Sequence, residues 1–468
     1  MSEEKTPEEA KSPGFKTFLT IWIGQFISVM GSSLTGFALS LWIYEHTNSV
    51  TQYTLTIVLG GLPAIFFGPI AGALVDRWDR RYVLIGCNLV PMLTVMVYWY
   101  LFSHNMLAVW HIYIGVIANA FVGTFQWPAY IAAITMLVKP KDYVRVNGML
   151  ESGQSTVAIM GPLLGGALLG LLGVSWILII DFVTFFAALG TLFVVRIPRP
   201  EQSEEGKRAK GSIWKEAGFG WTFIRERPGL LRLLLLFACL NLVMSLCGVA
   251  VVPMVRGFSN RAGVGLIASL VGVGALIGGL LMASTGGFKK RVHGVLLGWA
   301  LMSVCFVLVG LRPNLYVTGA GVLLWYVVLS LMNTSSTAIW QAKTPRDVMG
   351  RVFAVRRMIA QFTVPLGDFS AGPLADFVFN PAMLAGGVLA STMGRVIGVG
   401  PGRGIALMLI TFAAVPALVA LAGWLSPRVR NIEAELPDAV RKEAPKPEPE
   451  PEPEPAATAG AEEAAAQA

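Results

Sequence analysis

The chain has 468 residues, of which 54% are hydrophobic and only 14% charged, with a net charge of +8. Soluble domains carry about 25% charged residues, so the composition excludes a soluble globular protein. The basic residues fall between long apolar runs, where they orient a chain in a bilayer, so the positive balance is not a nucleic-acid footprint.

A helix needs about 20 apolar residues to cross a bilayer. The runs lack the period-two alternation of barrel strands, which predicts an all-α integral membrane protein. Residues 1–16 are polar with mixed charge and do not read as a signal peptide, so they are expected to be a cytoplasmic tail ahead of a retained first span. Twelve spans are expected near 17–44, 52–75, 82–103, 107–137, 147–171, 174–195, 231–254, 263–285, 293–311, 316–341, 353–377 and 404–425. The stretch 107–137 exceeds one crossing and must tilt or extend beyond the membrane. With the N-terminus inside, only Arg256, Arg261, Arg312, Arg395 and Arg403 of the 36 Lys and Arg face outward, which places both termini in the cytoplasm.

The charged stretch 197–230 divides the spans six and six, giving bundles at 17–196 and 231–427. Within it, Ile213, Trp214, Ala217, Trp221 and Ile224 fall at helical spacing, which predicts an amphipathic helix on the cytoplasmic membrane surface. Residues 378–403, with six glycines, are expected to be a long mobile external loop or partly re-entrant. Residues 428–468, rich in Pro, Glu and Ala, are expected to be a disordered cytoplasmic tail. The halves echo each other: Pro140-Lys-Asp-Tyr-Val-Arg145 after span four matches Pro345-Arg-Asp-Val-Met-Gly-Arg351 after span ten. The four cysteines, Cys87, Cys239, Cys247 and Cys305, lie within spans and read as small packing residues.

The most distinctive stretch joins spans two and three. In Gly72-Ala-Leu-Val-Asp76-Arg77-Trp-Asp79-Arg80-Arg81 a tight charged turn closes an apolar run. It resembles the cytoplasmic loop motif of the major facilitator superfamily: Gly72, Asp76, Arg77, Arg80 and Arg81 match, while Asp79 stands where many members have Gly. The resemblance implies a latch to the start of span eleven, near Gly350 and Arg351, that biases the equilibrium between two access states. Plain positive-inside topology accounts for the arginines, but not for Asp76. The Asp76 turn has a degraded counterpart at Gly286-Gly-Phe-Lys-Lys-Arg291, and transporters built from such repeats place their site at the repeat interface.

Span five carries Gly161-Pro162-Leu-Leu-Gly165-Gly166, which resembles the antiporter motif of exporters in the same superfamily. Proline kinks a helix and glycines permit close helix approach. Span eight offers Gly272, Gly274, Gly278 and Gly279 as partners. Ordinary small-residue packing explains the motif equally well; only a functional role makes bulk at Gly165 alter coupling. The run from Ala338-Ile-Trp340-Gln to Gly372-Pro-Leu-Ala-Asp376, with Phe125-Gln-Trp-Pro-Ala129, resembles the branch that holds bacterial macrolide-efflux and enterobactin-exporter-type proteins, over residues 15–427.

Intramembrane acids are candidate proton carriers. Here they are Asp181 in span six, Asp368 in span eleven and Glu151 at the start of span five. Each also has a structural reading: Asp181 can hydrogen-bond locally and Glu151 can reach cytoplasmic water. Asp376 is expected to meet external water. Span one holds no acid before its outer end, only Gln25, Ser28, Ser32 and Ser33, where many proton-coupled exporters have one. Candidates for a cavity lining are Gln25, Ser28, Gln126, Gln154, Asn241, Asn333 and Gln361, with Trp22 and Trp340 read as interface anchors. Arg356 and Arg357 either snorkel to the cytoplasm or hold an anion such as Glu151.

The expectation is a twelve-helix transporter in two pseudo-symmetric six-helix bundles, the major facilitator fold, in a bacterial inner membrane. It is expected to be monomeric, to use a proton gradient and no cofactor, and to export a mid-sized amphipathic drug, macrolide or siderophore. Its partners would be that small molecule and the lipid bilayer, with no nucleic acid. Uptake or lipid flipping is an alternative within the fold, and a non-transporting receptor or scaffold docking through its tail is another. A membrane enzyme is disfavoured, because His46, His104, His111 and His293 are scattered with no ligand spacing, and the lack of a phosphate-binding Gly-x-x-x-x-Gly-Lys-Ser/Thr loop speaks against ATP as the direct driver.

Overall fold

The computed structural model describes residues 14–75, 78–138, 142–195, 221–285, 287–345 and 349–436. Among these residues the chain is helical, with no strand. The first half contains α1 (Phe15–Thr47), α2 (Val50–Val75), α3 (Arg80–Ser103), α4 (Val109–Leu137), α5 (Tyr143–Leu171) and α6 (Val174–Val194). The second contains α7 (Pro228–Arg256), α8 (Arg261–Thr285), α9 (Arg291–Leu311), α10 (Leu315–Lys343), α11 (Met349–Pro373) and α12, which runs as Arg403–Phe412 and Ala414–Leu425. Ten of the twelve are long and apolar enough to cross a membrane, and α4 and α11 complete the set.

Local chemistry sets the helix boundaries. Asn48 adopts the left-handed conformation that ends α1, and its N–H returns to Tyr44. Asp79, the residue that departs from the family motif, caps α3 by accepting from the Arg81 N–H at 3.0 Å. Asn314 caps α10 in the same way. The break in α12 falls at Ala413. Pro416 cannot supply an N–H to Phe412, and the Ser303 hydroxyl takes the Ala413 carbonyl.

The packing graph displays the internal repeat. In the first half α1 packs on α5 and α6, α4 on α2 and α3, and α3 on α6. In the second half α7 packs on α11 and α12, α10 on α8 and α9, and α9 on α12. Each pairing maps onto its counterpart when six is added to the helix number. The contacts between halves, α2 on α11 and α5 on α8, obey the same rule. The repeat extends to side chains: Arg80 at the start of α3 reaches Met136 in the last turn of α4, and Arg291 at the start of α9 reaches the Ala338 carbonyl of α10. Apolar side chains left exposed on α3, α6, α9 and α12, such as Leu93, Phe186, Val304 and Leu418, form the surface a bilayer would cover.

Three expectations are corrected. Residues 378–403 are not a mobile loop: after a π-helical turn, Leu374–Phe379, come the short helices Asn380–Met383 and Gly394–Ile397, whose Met383 and Ile397 bury against Leu407. The C-terminal tail does not begin at 428. The helices Pro427–Arg430 and Ile432–Glu435 bury Val429 and Ile432 completely, the Glu433 carboxylate accepts from the Val292 N–H at the start of α9, and the Lys343 ammonium holds the Glu433 and Leu436 carbonyls. At the end of the expected amphipathic helix, part of the apolar side turns to the protein core instead of to lipid. Phe223 and Ile224 are buried with Leu230 in the second half's core, although Trp221 is exposed. The rest of that helix, and the tail beyond 436, lie outside the described residues.

Burying Val and Ile side chains stabilises by about 1.5–3 kcal/mol each. Truncation after Leu436 is therefore expected to leave the apparent Tm of the purified protein unchanged, and truncation after Ser426 to lower it by several degrees. Equal Tm values for the two truncations, followed by thermal unfolding in detergent, would contradict this clasp.

Candidate functional site: the seam between the halves

The motif in α5 presents two faces to two partners. Gly161 and Gly165, one turn apart, face α1, where an added methyl would collide with Ser33 and Phe37. Pro162 and Gly166 face the other half. A methyl on Gly166 would sit 2.6 Å from the Arg261 carbonyl oxygen and 2.8 Å from the Gly265 Cα, and one on Gly265 would collide with the Pro162 carbonyl. Two helices from different halves thus meet backbone to backbone, which only glycine allows. Of the partners expected in α8, Gly272 does face α5, against Ala158 and Ile159. Gly274 and Gly278 instead pack on α10, and Gly279 has nothing closer than 4.0 Å. Gly265, which makes the closest contact, lies seven residues before Gly272 on the same face.

Beyond this contact the halves are tied electrostatically. The Glu45 carboxylate at the end of α1 accepts from Arg256 Nε at 2.7 Å and from Arg261 Nη2 at 2.6 Å. Arg261 Nε also bridges both carboxylate oxygens at 3.1 Å. Asp376, expected in external water, instead caps α2 from the opposite half. It accepts from the Val50 and Thr51 N–H groups at 3.1 and 2.9 Å and from the Ser49 and Thr51 hydroxyls at 2.8 Å. An anion at a helix N-terminus meets free N–H groups and the positive end of the dipole. Gly372, one turn earlier on α11, lets Thr51 lie against the α11 backbone. A cavity of about 340 Å³, bounded by residues that include Phe37, Ser40, Tyr53 and Val252, lies between the halves.

These ties cluster at the end of the bundle that carries the α1–α2 and α7–α8 loops. Toward the other end Gln154, Asn333 and Gln361 are exposed. A second cavity, of about 270 Å³, opens between α1, α4 and α5, with Trp22, Gln25, Gln126, Trp127, Tyr130 and Gln154 in its wall. Gln154 stands one turn from Ala158, which touches Gly272 of the other half, so this cavity borders the seam. Trp22, expected as an interface anchor, lines the cavity, and Trp340 is fully buried beneath Arg356 rather than at an interface.

The remaining candidates lie within the halves. Asp181 is completely buried between α1 and α6, where the Ser32 and Thr184 hydroxyls donate to it at 3.2 and 3.5 Å. Asp368 lies half-buried between α7 and α11 and accepts from the Ser245 hydroxyl. Asn241 lines neither of the two cavities described above: its amide donates to the Ala360 carbonyl at 2.8 Å, and Thr363 and Ser245 stitch the same two helices. Ser28 is buried in α1. Glu151 is exposed, in the third turn of α5 rather than its first. Arg356 donates to Ser336 and lies over the Trp340 and Phe353 rings, while Arg357 reaches Gln361.

Of the loop motif, Arg81 donates to the Leu192 and Phe193 carbonyls at 3.0 and 2.9 Å, closing the C-terminus of α6 within its own half. Gly72 ends up in the last turns of α2 and Arg351 near the start of α11; Asp76, Arg77 and the Arg351 side chain lie outside the described residues.

Each ion pair and the cap contribute about 1 kcal/mol at partly exposed sites, and about 1.4 kcal/mol shifts a two-state population tenfold. With Ser40→Cys as the sole cysteine, Glu45→Gln and Asp376→Ala are each expected to raise its labelling by a membrane-impermeant maleimide applied at the clamped end severalfold. Labelling unchanged in both would sink the clamp. Gly166→Val is expected to do the same, whereas Gly170→Val, with nothing within 4 Å of its added methyl, leaves labelling as it was; equal effects of the two would contradict the backbone contact.

Comparisons with known proteins agree with this architecture. The sequence model of the Major Facilitator Superfamily matches residues 21–368. Macrolide efflux protein A of Streptococcus pyogenes is 27% identical, over 77% of this chain and 89% of that protein. The enterobactin exporter EntS of Salmonella typhimurium is 25% identical, over 72% and 80%. Among solved structures, a bacterial homologue of the human lysosomal transporter Spinster, in an inward-facing and unoccupied conformation, superposes with a TM-score of 0.66 at 16% identity, covering 93% of this chain and all of that one.

Proposed function

The chain belongs to the Major Facilitator Superfamily, and on that premise we propose that it is a proton-driven exporter of a mid-sized amphipathic compound, working by alternating access. The observation that carries this reading is the asymmetry of the seam. The halves are clamped at one end by Gly166 on Gly265, the Glu45 ion pairs and the Asp376 cap, while a cavity with an uncharged wall opens toward the other. A molecule entering from the open end is released at the other only when the clamp parts and the halves rock. Efflux, rather than uptake, is drawn from relatives named for macrolide efflux and enterobactin export.

In this reading the clamped end faces outward, both termini are cytoplasmic, and the protein works as a monomer in a bacterial inner membrane. Gly72, Asp76, Arg77, Arg80, Arg81 and Arg351 form the latch that closes the cytoplasmic end once the outer clamp has parted. Arg81 serves it by fixing α3 to α6, so that the turn moves with its half as a rigid body. The Gly161 to Gly166 motif serves coupling by holding α5 against α1 on one face and α8 on the other. Asp181, Asp368 and Glu151 are the groups to test as proton carriers, in that order of burial.

The test is transport into everted membrane vesicles, using a panel of dyes, macrolides and catechol siderophores with and without a protonophore. Protonophore-sensitive accumulation of at least one compound is expected, and Asp76→Asn is expected to slow it severalfold at unchanged membrane abundance. Absence of accumulation across the panel, or accumulation indifferent to the protonophore, overturns the reading; undiminished transport by Asp76→Asn removes the latch from it.

A further inference from the structure

We propose that the cavity between α1, α4 and α5 binds an uncharged planar ring bearing hydrogen-bond acceptors, such as a carbonyl oxygen. The proposal rests on the export reading only in making that ring part of the transported compound.

The walls supply the first argument. Trp22 and Phe26 stack with ring centroids 5.5 Å apart and planes 15° from parallel, both line the cavity, and Trp127 lines it from α4. Gly153 of α5 permits this placement: a methyl there would already stand 3.3 Å from the Trp22 ring, so a larger side chain would push it aside. Flat aromatic faces favour flat ligands, which stack in offset or edge-to-face contact.

The polar groups supply the second, independent argument. Gln25 is 6% exposed and Tyr130 9%. The Gln25 carbonyl accepts from the Gln126 amide at 3.4 Å, which leaves the Gln25 NH₂ as its free group. That NH₂ and the Tyr130 hydroxyl are buried with no hydrogen-bond partner among the described residues, and both residues line the cavity. A buried donor without an acceptor bears the whole cost of its lost hydration, and a ligand oxygen in the cavity removes that cost. Other buried donors among the described residues also lack a partner, among them Trp299 Nε1 and Trp325 Nε1 in the apolar core of the second half, but of these groups only those of Gln25 and Tyr130 belong to residues that line this cavity.

Charge and size narrow the class. No residue in the lining is charged at neutral pH, so an ionised ligand would shed its hydration without gaining a counter-ion. The aromatic faces alone would attract a cation, but the unmet Gln25 NH₂ beside them opposes one. At about 270 Å³ the cavity falls below the ~300–1,000 Å³ of sites that enclose a whole drug-sized molecule, so it takes one ring system while the remainder extends into the seam.

The experiment is equilibrium dialysis of the purified full-length protein with three probes built on one ring: N-methylacridone, neutral with a carbonyl; 10-methylacridinium, a cation without one; and 10-(carboxymethyl)acridone, an anion that keeps it. N-methylacridone is expected to bind at least about tenfold more tightly than either ion, and Gln25→Leu and Tyr130→Phe each to weaken it about tenfold. The comparison of probes needs no variant, so it holds even where a substitution impairs folding. Binding of 10-methylacridinium as tight as that of N-methylacridone overturns the proposal, as does wild-type affinity in both variants. Selective binding without any vesicle transport would keep the site and remove the export reading. Vesicle transport with wild-type binding in both variants would keep the export reading and remove the site.

Discussion

Gly166 of α5 and Gly265 of α8 bring two backbones into contact across the halves, and the rest of the arrangement depends on that proximity. Lipid chains are as apolar as leucine, so membrane helices gain little from hydrophobic burial against each other and depend on close packing instead. Side chains at these two positions would hold α5 and α8 apart. Because nothing does, the end of α1 comes within reach of α7 and α8, where Glu45 meets Arg256 and Arg261. The start of α2 likewise comes within reach of Asp376 on the far side of the molecule. The ion pairs and the cap are consequences of a packing contact and would be too weak to create it.

Intramembrane polar residues in this protein fall into groups distinguished by their partners. Most are stitches within a half: Asn241, Ser245 and Thr363 join α7 to α11, and Ser32 joins α1 to Asp181. Glu45, Arg256, Arg261 and Asp376 form ties between halves, which must break when the halves move. The Gln25 amide and the Tyr130 hydroxyl belong to neither group, and they meet in one cavity beside the seam. A polar group in a membrane span marks function only after its structural partners have been counted.

The cross-half cap also explains the shape of the segment after α11. The π-helical turn Leu374–Phe379 widens the helix where Asp376 must turn toward α2. The chain then folds its glycine-rich stretch into short helices over Leu407 instead of leaving a loose loop. A comparable economy appears at the opposite end, where Glu433 caps α9 while Ile432 fills the core beside it, so residues that read as tail belong to the second half.

What the amino-acid order determined by itself was the set of spans, their division six and six, and the internal repeat. Those depend on hydropathy, charge and chain distance, which act along one dimension against water and lipid. The family was legible for the same reason, since its signature is a local string from Gly72 to Arg81. Partnership was decided only in three dimensions. Glu45 and Arg256 are 211 residues apart, and Ser49 and Asp376 are 327 apart, with no local signal to link them. Which face of α5 meets α1 and which meets α8 depends on the helical phase of each glycine against two neighbours at once. Asn241 and Gln25 look alike in the sequence as amides within apolar runs. The tertiary structure set one against a backbone carbonyl and left the NH₂ of the other buried without a partner, because only packing determines which donors are already satisfied.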